Sequence, residues 1–164
     1  MEKRKSLDRK DRQLLAILQR EGRLPNAELA RRVHLSPSPC LERVRRLEQL
    51  GYIHDYVARL DAGLLDMAQI VFIQVRLDQK NLAVFNEFRS HIRDMPEVQE
   101  CHMMAGEFDY LLKVRVPDVG AYRELLGTRL DTLPGVVHTV SHVVIDEVKS
   151  STALPLPETD EQRD

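Results

Sequence analysis

ELARRVHLSPSPCLERVRRLEQLGYI, residues 28–53, reads as two short amphipathic helices joined by a tight turn. Asn26 can cap the first, whose Leu29, Ala30 and Val33 face inward. The second starts in Ser36-Pro37-Ser38-Pro39, where proline is tolerated because first-turn amide protons have no helical partner. It ends at Leu50-Gly51, with Gly51 suited to a left-handed cap. Turning this helix by about 100° per residue places Cys40, Val44 and Leu47 on one side, with Leu41 and Leu50 at its edges. Ser38, Glu42, Arg45, Arg46 and Gln49 fall on the other, with Arg43 on the flank. A helix–turn–helix presenting guanidinium groups has the shape and chemistry of a major-groove reader.

Upstream, Leu14, Leu15, Ile17 and Leu18 form the stripe of a helix within residues 8–21, stopped by Gly22. Downstream, residues 52–60 read as an extended connector and 61–68 as a polar link. Val71, Ile73, Val75 and Leu77 then alternate with Phe72, Gln74 and Arg76, a strand pattern. Leu82, Phe85, Phe88, Ile92 and Met95 follow helical spacing up to Pro96. Residues 98–105 and 109–116 read as a strand pair. Val119, Tyr122, Leu126, Leu130 and Leu133 give another helix, closed by Pro134-Gly135. Residues 136–148 make a β-branched strand.

The fold class expected is α+β: an N-terminal helix–turn–helix domain of winged-helix-like type, then a C-terminal βαββαβ ferredoxin-like sandwich. The expected boundaries are residues 1–52 with a basic arm, a connector and hinge over 53–68, the sandwich over 69–149, and a flexible tail over 150–164. A small open sheet leaves one face bare, so dimerisation through it is expected.

Charge divides along the same line. Residues 1–60 carry 14 lysines and arginines against 8 acids, and residues 61–164 carry 10 against 18. The whole-chain charge of −2 therefore hides a basic front of +6 and an acidic rear of −8, and only the front suits phosphates. Two cysteines, Cys40 and Cys101, are too few for a disulfide scaffold and fit a reducing compartment. No apolar run approaches the roughly 18 residues of a membrane span, and the basic N-terminus lacks a signal-peptide core. The expectation is a cytoplasmic, nucleoid-associated protein with no membrane partner.

Arg45 and Arg46 can donate bidentately to guanine, and Glu42 can accept from cytosine. Ser36 and Ser38, at the helix start, suit a phosphate or a base edge. Arg31, Arg32 and Arg43, with Lys3, Arg4 and Lys5 of the arm, suit phosphates. His138 and His142 lie four strand residues apart, about 13 Å, too far for one ion, and no metal site is expected. No nucleophile–base pair or phosphate loop points to an enzyme. Gly106-Glu107-Phe108-Asp109 joins two strands. By residue type alone it is either a plain hairpin turn or a ligand loop whose amides hold a carboxylate.

LDRKDRQLLAILQREGRL, the stretch quoted above, QECHMMAGEFDYLLKVRVPD, AYRELLG, LPGV and VVIDEVKSS together resemble the Lrp/AsnC family, the feast/famine regulators of bacteria and archaea, over roughly residues 7–157. The resemblance implies a DNA-binding transcriptional regulator that senses an amino acid, with leucine the leading candidate, and that needs no cofactor. It implies dimers through the sandwich, often closed into octameric rings, with DNA wrapped along the array. It implies an effector between sandwich domains, next to the Gly106–Asp109 loop, where Glu107 stands in place of the family's usual Asp and Phe108 lies in the loop; by residue type, Asp109 can pair the ammonium group. Met103 and Val144 would receive an aliphatic side chain; His142 stands where an aromatic residue is usual. An effector-independent, DNA-wrapping nucleoid organiser is the alternative within the same fold.

Overall fold

The computed structural model of the chain describes residues 7–79 and 81–156. They form two compact units, one up to Arg59 together with the segment from Lys149, the other Leu60–Val148. The arm residues Lys3, Arg4 and Lys5 lie outside the described residues.

The first unit holds α1 (Arg9–Leu18), α2 (Asn26–Arg32) and α3 (Pro37–Gln49). Asp8 and Asp11 make a reciprocal capping box at the start of α1, satisfying two amide protons that a helix leaves without partners. Asn26 differs from its expected role. Pro25 holds the cap position, and the Asn26 side chain instead donates to the Pro37 carbonyl at 2.9 Å, tying the start of α2 to that of α3. Between them His34 takes a left-handed conformation (φ 52°), which lets Leu35 N–H reach the Ala30 carbonyl at 2.9 Å.

Gly51, at φ 74°, closes α3 as expected. Its N–H bonds to the Glu48 carbonyl and that of Tyr52 to the Leu47 carbonyl, the paired arrangement of a Schellman cap. Leu14, Leu29, Ala30, Val33, Cys40 and Leu47 are at most 2% exposed and form the core of this unit. At ~1.5–3 kcal/mol per large apolar side chain buried, that core is what holds three short helices.

The segment from Lys149 differs from the loose tail expected. Leu154 N–H donates to Gln19 Oε1 at 2.9 Å and Gln19 Nε2 returns to the Leu154 carbonyl at 3.1 Å, so the side-chain amide holds the strap against α1 in the manner of a strand neighbour.

The second unit is β1 (Gln69–Leu77), α4 (Leu82–Arg93), β2 (Val98–Met103), β3 (Tyr110–Val116), α5 (Val119–Leu125) running into a π-helical turn (Leu126–Leu130), and β4 (Val136–Val143). The order βαββαβ is the one expected, and the strands lie β2-β3-β1-β4, antiparallel throughout. Alternation decides which side packs. Val71, Ile73, Val75 and Leu77 of β1 with Tyr110, Leu112, Val114 and Val116 of β3 are buried against Phe88, Ile92, Tyr122, Leu125 and Leu130 of the helical layer. The Phe88 and Tyr110 rings meet at a 4.6 Å centroid distance. The other sheet face carries Phe72, Gln74 and Arg76, opposite His142, Val140 and His138 of β4.

Candidate nucleic-acid interface and ligand cavity

Exposure along α3 follows its periodicity. Cys40, Val44 and Leu47 are buried, and burial pushes the Cys40 thiol above its usual range. Ser38, Leu41, Glu42, Arg45 and Gln49 are exposed, one continuous face pointing away from α1 and α2. Arg45 has no ion-pair partner among the described residues, so its guanidinium is free for a ligand. Ser36 occupies the cap position of α3 without using its hydroxyl there, and two prolines leave this helix start short of amide donors.

Arg43 and Arg46 are placed differently from the expectation. Arg43 Nη1 lies 2.5 Å from Asp8 Oδ2 and 2.9 Å from Asp11 Oδ1, and Arg46 Nη2 lies 2.5 Å from Asp11 Oδ2. The Asp11 side chain is 1% exposed. Arg46 Nε is buried as well. The reason is a carboxylate in the α1 cap box that has left water and needs cationic partners. These two arginines fasten α3 to α1. Asp8 shows the same balance: burial by itself raises its carboxyl, but Asp11 N–H and the Arg43 guanidinium outweigh it and hold the carboxyl below its usual range.

Arg31 and Arg32 stand on the exposed side of α2 and share Glu28, at 2.7 and 3.0 Å, and Arg32 also reaches Glu21 at 2.7 Å. Side-chain hydrogen bonds from Arg31 and then Arg32 bring the Glu28 carboxyl down to about 2. Surface pairs of this kind exchange readily for phosphate, because screening by water leaves each worth little.

In the second unit the loop between β2 and β3 is built around Asp109. Asp109 N–H donates to the Val75 carbonyl and its Oδ2 accepts from Leu77 N–H, both at 2.9 Å. This carboxylate is 6% exposed and stitches the loop to the β1 end, where the β1–β4 register shifts between Arg76 and Leu77. Beside the loop lies a cavity of about 140 Å³ lined by Gln74, Arg76, Glu107, Phe108, His138 and Val140. Arg76 Nη2 donates to the Glu107 carbonyl at 3.1 Å.

Glu107 and Phe108 line this cavity, and Gly106 stands exposed at the loop tip. The others are elsewhere in the unit. Asp109 does not line the cavity. Met103 lines a separate cleft under α4 with Arg89, Arg93, Cys101 and Tyr110, where its sulfur accepts from Arg89 Nη2 at 3.2 Å. His142 pairs with Phe72, whereas His138 is the residue opposite Arg76, so His142 lies about 13 Å further along β4. Val144 lies beyond it, its N–H on the Ile70 carbonyl. Gln74, Arg76, His138 and Val140 line the cavity as well and are not among the expected site residues. Their alternation in β1 and β4 was readable, but the strand pairing that aligns them was not. Among the described residues no group of three or more His, Cys, Asp or Glu side chains is placed to hold a metal. No helix among them is long and apolar enough to cross a membrane.

Comparison with known proteins gives two separate matches along the chain. Residues 7–54 match the sequence profile described as winged helix-turn-helix DNA-binding, and residues 70–154 the one described as Lrp/AsnC ligand binding domain. The chain is similar to the leucine-responsive regulatory protein of Klebsiella pneumoniae, 52% identical over 150 residues and 92% of each chain. It is likewise 51% identical to that of Escherichia coli K12 over 92% of each. Among solved structures, the transcriptional regulator–L-methionine complex from Neisseria meningitidis superposes with a TM-score of 0.89 at 38% identity, covering 92% of this chain and 97% of the other.

Proposed function

The chain belongs to the Lrp/AsnC family of transcriptional regulators, and from that premise we propose how its two units divide the work. It is a DNA-binding regulator with an amino-acid-binding domain; its relatives are leucine-responsive regulatory proteins. In our reading, α3 enters the major groove and Arg45 reads a guanine, with Glu42 and Gln49 beside it on base edges. Ser36, Ser38, Arg31 and Arg32 contact phosphates and set register. Arg43 and Arg46 serve the same surface indirectly, by fixing the angle of α3 on α1.

The effector is leucine or an aliphatic amino acid of similar size, held in the cavity beside residues 106–108. Val140 and Val143 on β4 and Ile145 and Val148 beyond it are more than a third exposed. So much uncovered apolar surface along one sheet edge favours self-association, in dimers that close into an octamer. The effector acts by binding one assembly better than another, since a ligand indifferent to the two would shift nothing. A place on the nucleoid follows from DNA binding.

One observation carries this reading: the outward face of α3 holds Arg45 without an ion-pair partner among the described residues, on a helix whose Arg43 and Arg46 are paired with Asp8 and Asp11. The test is fluorescence anisotropy with operator and scrambled duplexes, with and without leucine, alongside light scattering for particle mass. Arg45→Ala is expected to lose ~1–3 kcal/mol on operator and little on scrambled DNA. Equal weakening on both duplexes would make Arg45 a phosphate anchor, and a leucine-insensitive affinity and mass would favour the nucleoid-organiser alternative.

A further inference from the structure

Among the described residues of the helical unit, His34 is the one non-glycine residue whose backbone is left-handed (φ 52°). It lies in the turn between α2 and α3. A helix–turn–helix connection often holds glycine, which takes this conformation freely, whereas a residue with a Cβ takes it at a cost. The surrounding bonds leave the backbone no alternative. His34 N–H donates to the Arg31 carbonyl at 3.2 Å, Leu35 N–H to the Ala30 carbonyl at 2.9 Å, and the Asn26 amide to the Pro37 carbonyl at 2.9 Å. The imidazole gives the fold nothing in return: it is exposed, with no hydrogen bond or ion pair to any described residue. A conformational cost without a packing gain marks a side chain used outside the folded unit.

Its place in the chain says which use. His34 stands between Arg31 and Arg32 at the end of α2 and Ser36 and Ser38 at the start of α3, the groups assigned above to phosphates. Helix starts usually grip phosphate through their free amide protons, and α3 is poor in them. Pro37 and Pro39 carry none, and Cys40 N–H is held by the Ser36 carbonyl at 3.2 Å, so of residues 37–40 only Ser38 has an amide proton to offer. Side chains must supply the missing donors. An imidazole has one ring N–H when neutral and two when protonated, and on a locked backbone it loses little freedom in making a contact. Resting on the DNA reading above, we infer that His34 donates a ring N–H to a DNA phosphate. The contact replaces an amide donor that the prolines remove and holds α3 in register without reading a base.

The experiment sets DNA affinity against stability in three full-length variants. Affinity is read by fluorescence anisotropy on a duplex that the parent selects from a random-sequence pool and on its scrambled counterpart; stability is read by thermal unfolding. His34→Gly removes both the donor and the backbone cost, and His34→Ala removes the donor but keeps the cost. His34→Asn keeps a side-chain N–H and tolerates the left-handed turn. On both duplexes the Gly and Ala variants are expected to bind about three- to tenfold more weakly, the size of one lost hydrogen bond, with Asn between them and the parent. The Gly variant should nevertheless melt at or above the parent temperature, and the Ala variant below it. The contact is overturned if His34→Gly binds both duplexes like the parent, if its loss is confined to the selected duplex, or if affinity simply follows melting temperature across the three. Arg45→Ala, measured alongside, separates the two readings: should it lose preference for the selected duplex while His34→Gly changes nothing, α3 still reads DNA and only the His34 contact falls. A parent chain that binds neither duplex would overturn both.

Discussion

Asp11→Ala should be among the most damaging single substitutions in the helical unit, although Asp11 touches neither of the proposed ligands. Its side chain is 1% exposed and accepts from Arg43 Nη1 at 2.9 Å, Arg46 Nη2 at 2.5 Å and Asp8 N–H at 3.1 Å. Hydrogen bonds to charged groups contribute ~1.5–3 kcal/mol each. The Arg43 and Arg46 side chains are 31% and 43% exposed, so both rehydrate when released and the lower end applies, about 1.5 kcal/mol apiece. Arg43 also keeps Asp8, which trims its share. Loss of half the capping box adds ~0.5 kcal/mol. The total is about 3 kcal/mol, against ~3–9 kcal/mol for a folded unit of some sixty residues.

Urea unfolding of the full chain, followed by far-ultraviolet circular dichroism, reads the loss as an earlier helical transition. A double-mutant cycle isolates the pair, with an expected coupling of ~1–2 kcal/mol between Asp11→Ala and Arg46→Ala. On DNA, Arg46→Ala should weaken operator and scrambled duplexes equally, since its effect passes through the seating of α3. A coupling below ~0.3 kcal/mol, within the error expected for independent sites, would refute the clamp. So would an Arg46→Ala variant of parental stability that discriminates less well between the two duplexes.

Gly135→Ala should destabilise the sheet unit by ~2 kcal/mol or more, measured by thermal unfolding. The residue sits at φ +80°, and an added Cβ would come 2.7 Å from Val84 Cγ1, so an unchanged melting temperature would mean that this turn relaxes freely. Acid should loosen the α2 surface in a defined window. Because hydrogen bonds from Arg31 and Arg32 lower the Glu28 carboxyl to about 2, its contribution is complete above the unfolded value of ~4.3 and fades as pH falls from there through the folded one. Asp8, also lowered, adds to the same loss. Carboxyl-carbon NMR titration checks both; an ordinary value at Glu28 would show that the α2 pairs do not persist in solution.

Much of this was legible because short-range rules governed it. Gly51 closes α3 in a left-handed cap because only a residue without Cβ adopts that turn cheaply. The alternation in β1 placed Val71, Ile73, Val75 and Leu77 on the packed face, because a strand has only two faces to choose from. The loop cavity was half legible: Glu107 and Phe108 are consecutive in the chain, whereas Arg76 and His138 meet only through strand pairing.

The residue pattern by itself determined the element order, the two units, their opposite charges and the outward face of α3, since all of these follow from periodicities and end signals that span a few residues. The tertiary structure alone decided which charged groups are free. A guanidinium at position 43, 45 or 46 is the same group in the sequence; a buried carboxylate 35 residues away from Arg46 binds two of the three and leaves Arg45. The same holds for Asp109, claimed by Leu77 N–H from 32 residues away, because a polar atom taken out of water is assigned by whichever partner the fold brings within reach.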